Sequence, residues 1–193
     1  MTNVRQYTDK EIIDKVKTLS GFSKIPTNYF LVGIRSNEDA FNTFDDKFYL
    51  FKGEQCHSVY KGTTNPGSTG LQKFEDYNKL GCAVLKSDTI VYDYAERGWH
   101  RGKVFAYRQV KPFPYYRDSN RNSKAEEVGQ VYNDIIYANI HPASYLMGDV
   151  VEKTQINGWS LACQVFSIRQ EFDEFMEITK DQNTLTYCLL KEF

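Results

Sequence analysis

From Tyr29 onward, short β-branched and aromatic runs recur with turn formers between them, and this alternation constrains the fold more than any other feature. Tyr29 to Arg35 is one such run, and Lys47 to Phe51 and His57 to Tyr60 follow, separated by Ser36-Asn37-Glu38-Asp39 and Lys52-Gly53-Glu54. Cys82 to Leu85, Thr89 to Tyr94, Val104 to Val110, Ile135 to Ile140 and Thr184 to Leu190 continue the series. Runs this short, spaced this closely, predict a mainly β (α+β) domain, largely antiparallel, folded as a sandwich or partly closed barrel. Aromatics make up 15% of the chain, with 14 Tyr and 13 Phe, which suits such a fold.

Two helices frame the strands. Thr8-Asp9-Lys10-Glu11 has the capping-box pattern, Ile12, Ile13, Val16 and Leu19 form one apolar stripe, and Gly21 ends it. Residues 1–22 are therefore expected as a helix packed on a single domain spanning 23–193. Phe172, Phe175, Met176 and Ile178 predict a second, short amphipathic helix. No internal repeat or linker divides the chain.

A net charge of −1 argues against a nucleic-acid binder. No stretch approaches the roughly 20 apolar residues of a membrane span. The N-terminus lacks the apolar core of a signal peptide, so synthesis in a cytoplasm is expected. The four cysteines are widely spaced and form no C-x-x-C, so neither a zinc site nor disulfides are expected, and no cofactor is implied. Gly62 to Gly70 reads as a polar surface connection, without the Lys-Ser/Thr ending of a P-loop. After Pro112 and Pro114, Tyr115 to Ser123 reads as a long polar segment. Its Asp118, Asn120 and Asn122 are spaced like the start of a calcium loop, but Ser123 and Gly129 fall where Gly and Glu are needed. Asx turns account for them more simply.

The chemistry concentrates in Asn157 to Phe166, where Cys163 follows small residues and precedes an apolar run. His141 comes earlier, after the Ile135–Ile140 run. An imidazole can take a thiol proton and release a thiolate to attack a carbonyl. Taken alone, a Cys and a His in one chain read as a core thiol and a loop histidine.

The order Ile140-His141, a loop, then Ser160-Leu161-Ala162-Cys163 resembles the His…Ser-x-Gly-Cys signature of L,D-transpeptidase catalytic domains of the YkuD type. Thr64-Asn65-Pro66-Gly67 is similar to that family's Thr-Pro-x-Gly turn, and the resemblance runs from about Tyr29 to Val165. It implies an L,D-transpeptidase-like domain and a cysteine acyltransferase or peptidase acting on peptidoglycan stem peptides through a thioester. Cys163 would be the nucleophile and His141 its base, oriented by the backbone carbonyl of Pro142. The oxyanion would rest on the backbone N–H groups of Ala162 and Cys163. Ser160, Trp159, His100 and Arg117 are the residues expected to border the substrate groove.

Two positions depart from the family. Ala162 stands where the family has Gly, and alanine disfavours a left-handed backbone. Val165 stands where it has Arg, so a cationic role would fall to Arg101, Arg117 or Arg169. Cleavage could be transpeptidase-, carboxypeptidase- or endopeptidase-like. The resemblance makes that cytoplasm a bacterial one, and a wall enzyme made there without a leader suits a bacteriophage lysis or wall-penetration protein. The alternative is a non-catalytic structural or binding module on the same fold, such as a virion component in contact with phage structural proteins.

Overall fold

The computed structural model describes residues 4–193. Strand dominates, at 37% against 14% helix. Eight strands close into a barrel and three more form a small sheet beside it. In chain order these are α1 (Asp9–Lys17), β1 (Tyr29–Arg35), β2 (Asp46–Lys52), β3 (Gln55–Thr63), α2 (Ser68–Gln72), β4 (Cys82–Leu85), β5 (Thr89–His100), β6 (Val104–Gln109), β7 (Phe113–Asp118), β8 (Tyr132–Asp134), β9 (Ile140–Pro142), β10 (Gln164–Phe166), α3 (Arg169–Ile178) and β11 (Thr184–Lys191). The barrel order is β1-β11-β5-β6-β9-β10-β3-β2, and the small sheet runs β4-β7-β8. Closure leaves the barrel without an open edge.

The barrel is largely antiparallel, with two parallel pairs among its eight neighbouring pairs. β11 returns alongside β1 in parallel, Phe30 opposite Thr186, and β10 lies parallel to β9, Val165 opposite His141. Parallel neighbours need a long crossover, and residues 143–163 supply the one that separates His141 from Cys163.

Period-two alternation divides the strands between two cores. Leu31, Phe48, Leu50, Tyr187 and Leu189 point into the barrel with Ile140 and Phe166. α3 plugs this core with Phe172, Phe175 and Met176. Phe30, Val32, Ile34, Tyr49, Phe51, Cys188 and Leu190 point outward, and α1 covers them with Ile12, Ile13 and Val16. β1, β2 and β11 are therefore apolar on both faces, which is why their sequences read as continuous hydrophobic runs. α1 carries the capping box: Thr8 accepts from Glu11 N–H and the Glu11 carboxylate accepts from Thr8 N–H at 2.8 Å.

Three local expectations are corrected. The Ile135–Ile140 run is not a strand; β9 begins only at Ile140, and His141 sits inside it. The Gln109 side chain captures the N–H groups of Ile136 (3.0 Å) and Ala138 (2.9 Å), and Tyr137 takes a left-handed φ of 60°, so no ladder forms there. Tyr115 to Asp118 belongs to β7, paired with β4 on one side and β8 on the other, so the polar segment starts only after Asp118. There Asp118, Asn120 and Asn122 each accept a backbone N–H two residues on, at 3.2, 3.0 and 3.0 Å, a run of Asx turns.

The third correction concerns Gly62 to Gly67, which is buried rather than a surface connection. Asp46, fully buried, accepts from Thr64 N (2.6 Å), Thr64 Oγ1 (2.8 Å) and Ser36 N (2.7 Å). The buried Arg35 guanidinium donates to Thr64 Oγ1 (3.0 Å), Thr64 O (2.9 Å) and Leu85 O (2.8 Å), and pairs with Glu127 at 2.6 Å. These partners satisfy the polar groups that would otherwise hold the segment in water.

Candidate active site

The parallel β9–β10 pair puts His141 and Cys163 on one face. Gln164 pairs with Ile140 and Val165 with His141, while Ile140 and Phe166 point into the barrel. His141, Val165 and the residue before β10, Cys163, therefore share the outer face by alternation. Gln164 N–H donates to Asn139 O at 2.9 Å, which sets Cys163 beside the end of that segment. Val165 packs with Phe44, Ala143 and Ile156, and Trp159 and Cys163 lie against the same cluster.

The crossover returns as a tight loop. Trp159 N–H donates to Ile156 O at 2.9 Å, and Ser160 Oγ donates to Cys163 O at 2.8 Å. Gly67 N–H donates to Ser160 O at 2.9 Å, tying the buried Thr64–Gly67 segment to the Cys163 loop. A Cβ at Gly67 would sit 2.3 Å from Asn157 O, so only glycine allows this approach. Ala162 is not left-handed, so the Gly-to-Ala departure imposes no backbone strain at that position. The backbone N–H groups of Ala162 and Cys163 donate to no partner among the described residues.

The imidazole of His141 is 1% exposed. Its Nδ1 lies 2.9 Å from Pro142 O, an acceptor only, so Nδ1 carries the proton and donates. Nε2 is then left with its lone pair, buried and, among the described residues, without a partner at hydrogen-bond distance, although the nearby Trp159 backbone favours the protonated ring. No hydrogen bond joins it to the thiol: Cys163 Sγ points instead at Tyr137 O, 3.6 Å away. Burial, then the neighbouring His100, holds the His141 imidazole down at about 3. Burial pushes the Cys163 thiol up to about 11, against the opposing pull of the Asn139 backbone and Arg101. The resting pair is therefore a neutral thiol and a neutral base, not a thiolate–imidazolium pair.

Cys163 and Ala162 open onto a cavity of about 530 Å³ between the barrel wall and the small sheet. Trp159, His100 and Arg117 line it, as do Trp99, Arg101 and Arg108. Among the described residues, three arginines and no carboxylate line this space. Ser160 is fully buried behind the loop and does not line the cavity; its hydroxyl shapes the Cys163 turn. Arg169 is also absent from the lining, since it bonds Asp173 (2.7 Å) and Ser144 O (3.2 Å). Among the described residues no group of three or more His, Cys, Asp or Glu is arranged to hold a metal ion, and the four cysteines are unpaired.

Sequence reasoning missed Asn139, Tyr137 and the partnership of the two histidines. The His100 ring stacks on His141 with centroids 4.1 Å apart and planes 20° from parallel. His100 lies at the end of β5, before a turn closed by Lys103 N–H on His100 O (2.9 Å) with Arg101 and Gly102 at φ 50° and 65°. Nothing in the sequence pointed from His100 to His141.

The same burial makes a prediction. Burial, then Arg101 and Arg108, holds the His100 imidazole down at about 4. Both folded values lie below the unfolded ~6.5, so this stability is complete above that value and is lost as pH falls toward 4 and 3. Asp45 acts the opposite way, because burial and Asp46 raise its carboxyl. Unfolding free energies of wild type and His100→Phe between pH 7 and 4 should therefore diverge. The wild type should lose about 1.4 kcal/mol more per pH unit below ~6.5; parallel curves would contradict this.

The chain matches no protein-family model, no curated protein and no solved structure.

Proposed function

We propose that the protein is a cysteine acyltransferase or peptidase acting on peptidoglycan stem peptides, with an L,D-transpeptidase-like fold. The observation that carries the reading is the His141 imidazole, held by Pro142 O with its free Nε2 on the strand face it shares with Cys163. The free N–H groups of Ala162 and Cys163 support it, since donors of this kind stabilise a developing oxyanion.

In this mechanism substrate enters the cavity and the thiol turns from Tyr137 O toward His141. The thiol proton passes to His141 Nε2 as sulfur bonds to the carbonyl carbon. The oxyanion rests on the Ala162 and Cys163 N–H groups. The C–N bond then breaks, the imidazolium proton goes to the departing amine, and a thioester remains on Cys163. An amine of a second stem peptide, or water, adds to the thioester. His141 Nε2 takes a proton from this nucleophile as it adds, and passes it to sulfur as the S–C bond breaks. With the resting pair neutral, proton transfer accompanies attack instead of preceding it.

Arg101, Arg108 and Arg117, with no acid opposite them, suit a substrate bearing carboxylates. The Trp99 and Trp159 faces suit sugar or peptide contact. Action at the wall, delivered by a phage lysis system or a virion, belongs to the same proposal.

The test is incubation of the full chain with purified peptidoglycan from several bacteria, followed by chromatography of the muropeptides. Released or newly cross-linked stem peptides are expected. Unchanged muropeptide profiles on every wall would overturn the enzyme reading in favour of a non-catalytic module.

A further inference from the structure

The tautomers of the two stacked histidines follow from their partners. Asn139 Oδ1 accepts the Gln109 backbone N–H at 2.9 Å, which fixes the amide's orientation. Its Nδ2 must then be the atom 3.0 Å from His100 Nδ1. An amide N–H₂ only donates, so His100 Nδ1 presents a lone pair and the ring proton sits on Nε2. His141 is the reverse, with its proton on Nδ1 facing Pro142 O. Rings 4.1 Å apart thus hold opposite tautomers, one with a free lone pair and one with a free N–H. Only His100 lines the cavity, and with Nδ1 occupied, Nε2–H is its group for a ligand.

We infer that His100 is a further catalytic residue, a neutral donor whose Nε2–H binds the carbonyl oxygen attacked by Cys163, with Asn139 as the positioning residue that fixes its tautomer. The inference rests on the acyl-transfer reading above. Asn139 connects the two groups directly: its side chain holds His100 and its backbone lies against Cys163. Arg101 and Arg108, which line the same cavity, disfavour a positive charge on His100. A neutral imidazole donor stabilises an oxyanion without surrendering its proton, leaving proton transfer to His141.

Two measurements test it. Long-range ¹H–¹⁵N NMR on the full chain with ¹⁵N-histidine at pH 7 should show the proton on Nε2 of His100 and on Nδ1 of His141. A proton on Nδ1 of His100 overturns the inference. The second measurement compares Cys163 acylation by p-nitrophenyl acetate, which forms an oxyanion, with alkylation by iodoacetamide, which does not, each located by mass spectrometry. His100→Phe keeps a flat ring without the donor, and should lower the acylation-to-alkylation ratio by ~10²–10³-fold. His100→Gln, which retains an N–H, should stay within about tenfold of wild type. Asn139→Asp should move the His100 proton to Nδ1 in the NMR spectrum and lower the ratio as His100→Phe does. An unchanged ratio in His100→Phe overturns the inference and leaves the Cys163 reading standing. No acylation of wild-type Cys163 overturns both.

Discussion

Cys163→Ala should abolish stem-peptide processing while leaving the fold intact. The side chain is only part-buried, and exchanging a thiol for a hydrogen removes little packed volume. His141→Ala should lower turnover by ~10²–10⁴-fold, the range for a positioned base. The neutral resting pair makes this loss larger than it would be for a preformed thiolate. A thiol held near 11 has almost no anion at neutral pH, so nucleophile exists only when a base takes the proton during attack. Substrate binding should survive both changes, because the arginines and tryptophans of the cavity are untouched. Chromatography of muropeptides checks turnover, and a thermal melt checks the fold. Wild-type product from Cys163→Ala would remove it as nucleophile.

The largest stability effect is expected at Asp46. Its carboxylate, fully buried, accepts two backbone N–H groups and the Thr64 hydroxyl. Thr64 in turn meets the Arg35 guanidinium, which reaches on to Leu85 O and Glu127. Glu127 accepts from Ser87 N–H at 2.8 Å, so the knot joins β1, β2 and β3 to the end of the small sheet. Asp46→Ala would orphan buried donors and leave Arg35 with less compensation, costing about 3–5 kcal/mol. For a chain of this size that lowers the melting temperature by roughly 6–20 °C. Asp46→Asn keeps one acceptor oxygen and should fall between. A loss under about 1 kcal/mol for Asp46→Ala would contradict the role given to this network.

The parts legible in sequence are those set by neighbours along the chain. The capping box at Thr8 and Glu11, the apolar runs of β1 and β2, and the Phe172–Ile178 helix all follow from local pattern. What was not legible depends on distant partners. Gly62 to Gly67 looks like a solvated loop until Asp46 and Arg35 are brought to it. Ile135 to Ile140 looks like a strand until one glutamine oxygen, from Gln109, takes two of its N–H groups. At the site, His141 and Cys163 could be singled out, but not the parallel pairing that puts them on one face. His100 could be placed near a groove, but its stacking on His141 joins residues 41 positions apart, and periodicity carries no such signal.

The most direct test of the account is the mass of the protein during turnover. The full chain would be mixed with a purified stem peptide, quenched in acid within seconds and digested, and its cysteine-containing peptides weighed. The account predicts an acyl adduct on Cys163 that is released by hydroxylamine, is absent from Cys163→Ala, and forms far more slowly in His141→Ala. Product formation with no adduct on Cys163, or an adduct on Cys56, Cys82 or Cys188 instead, would contradict it.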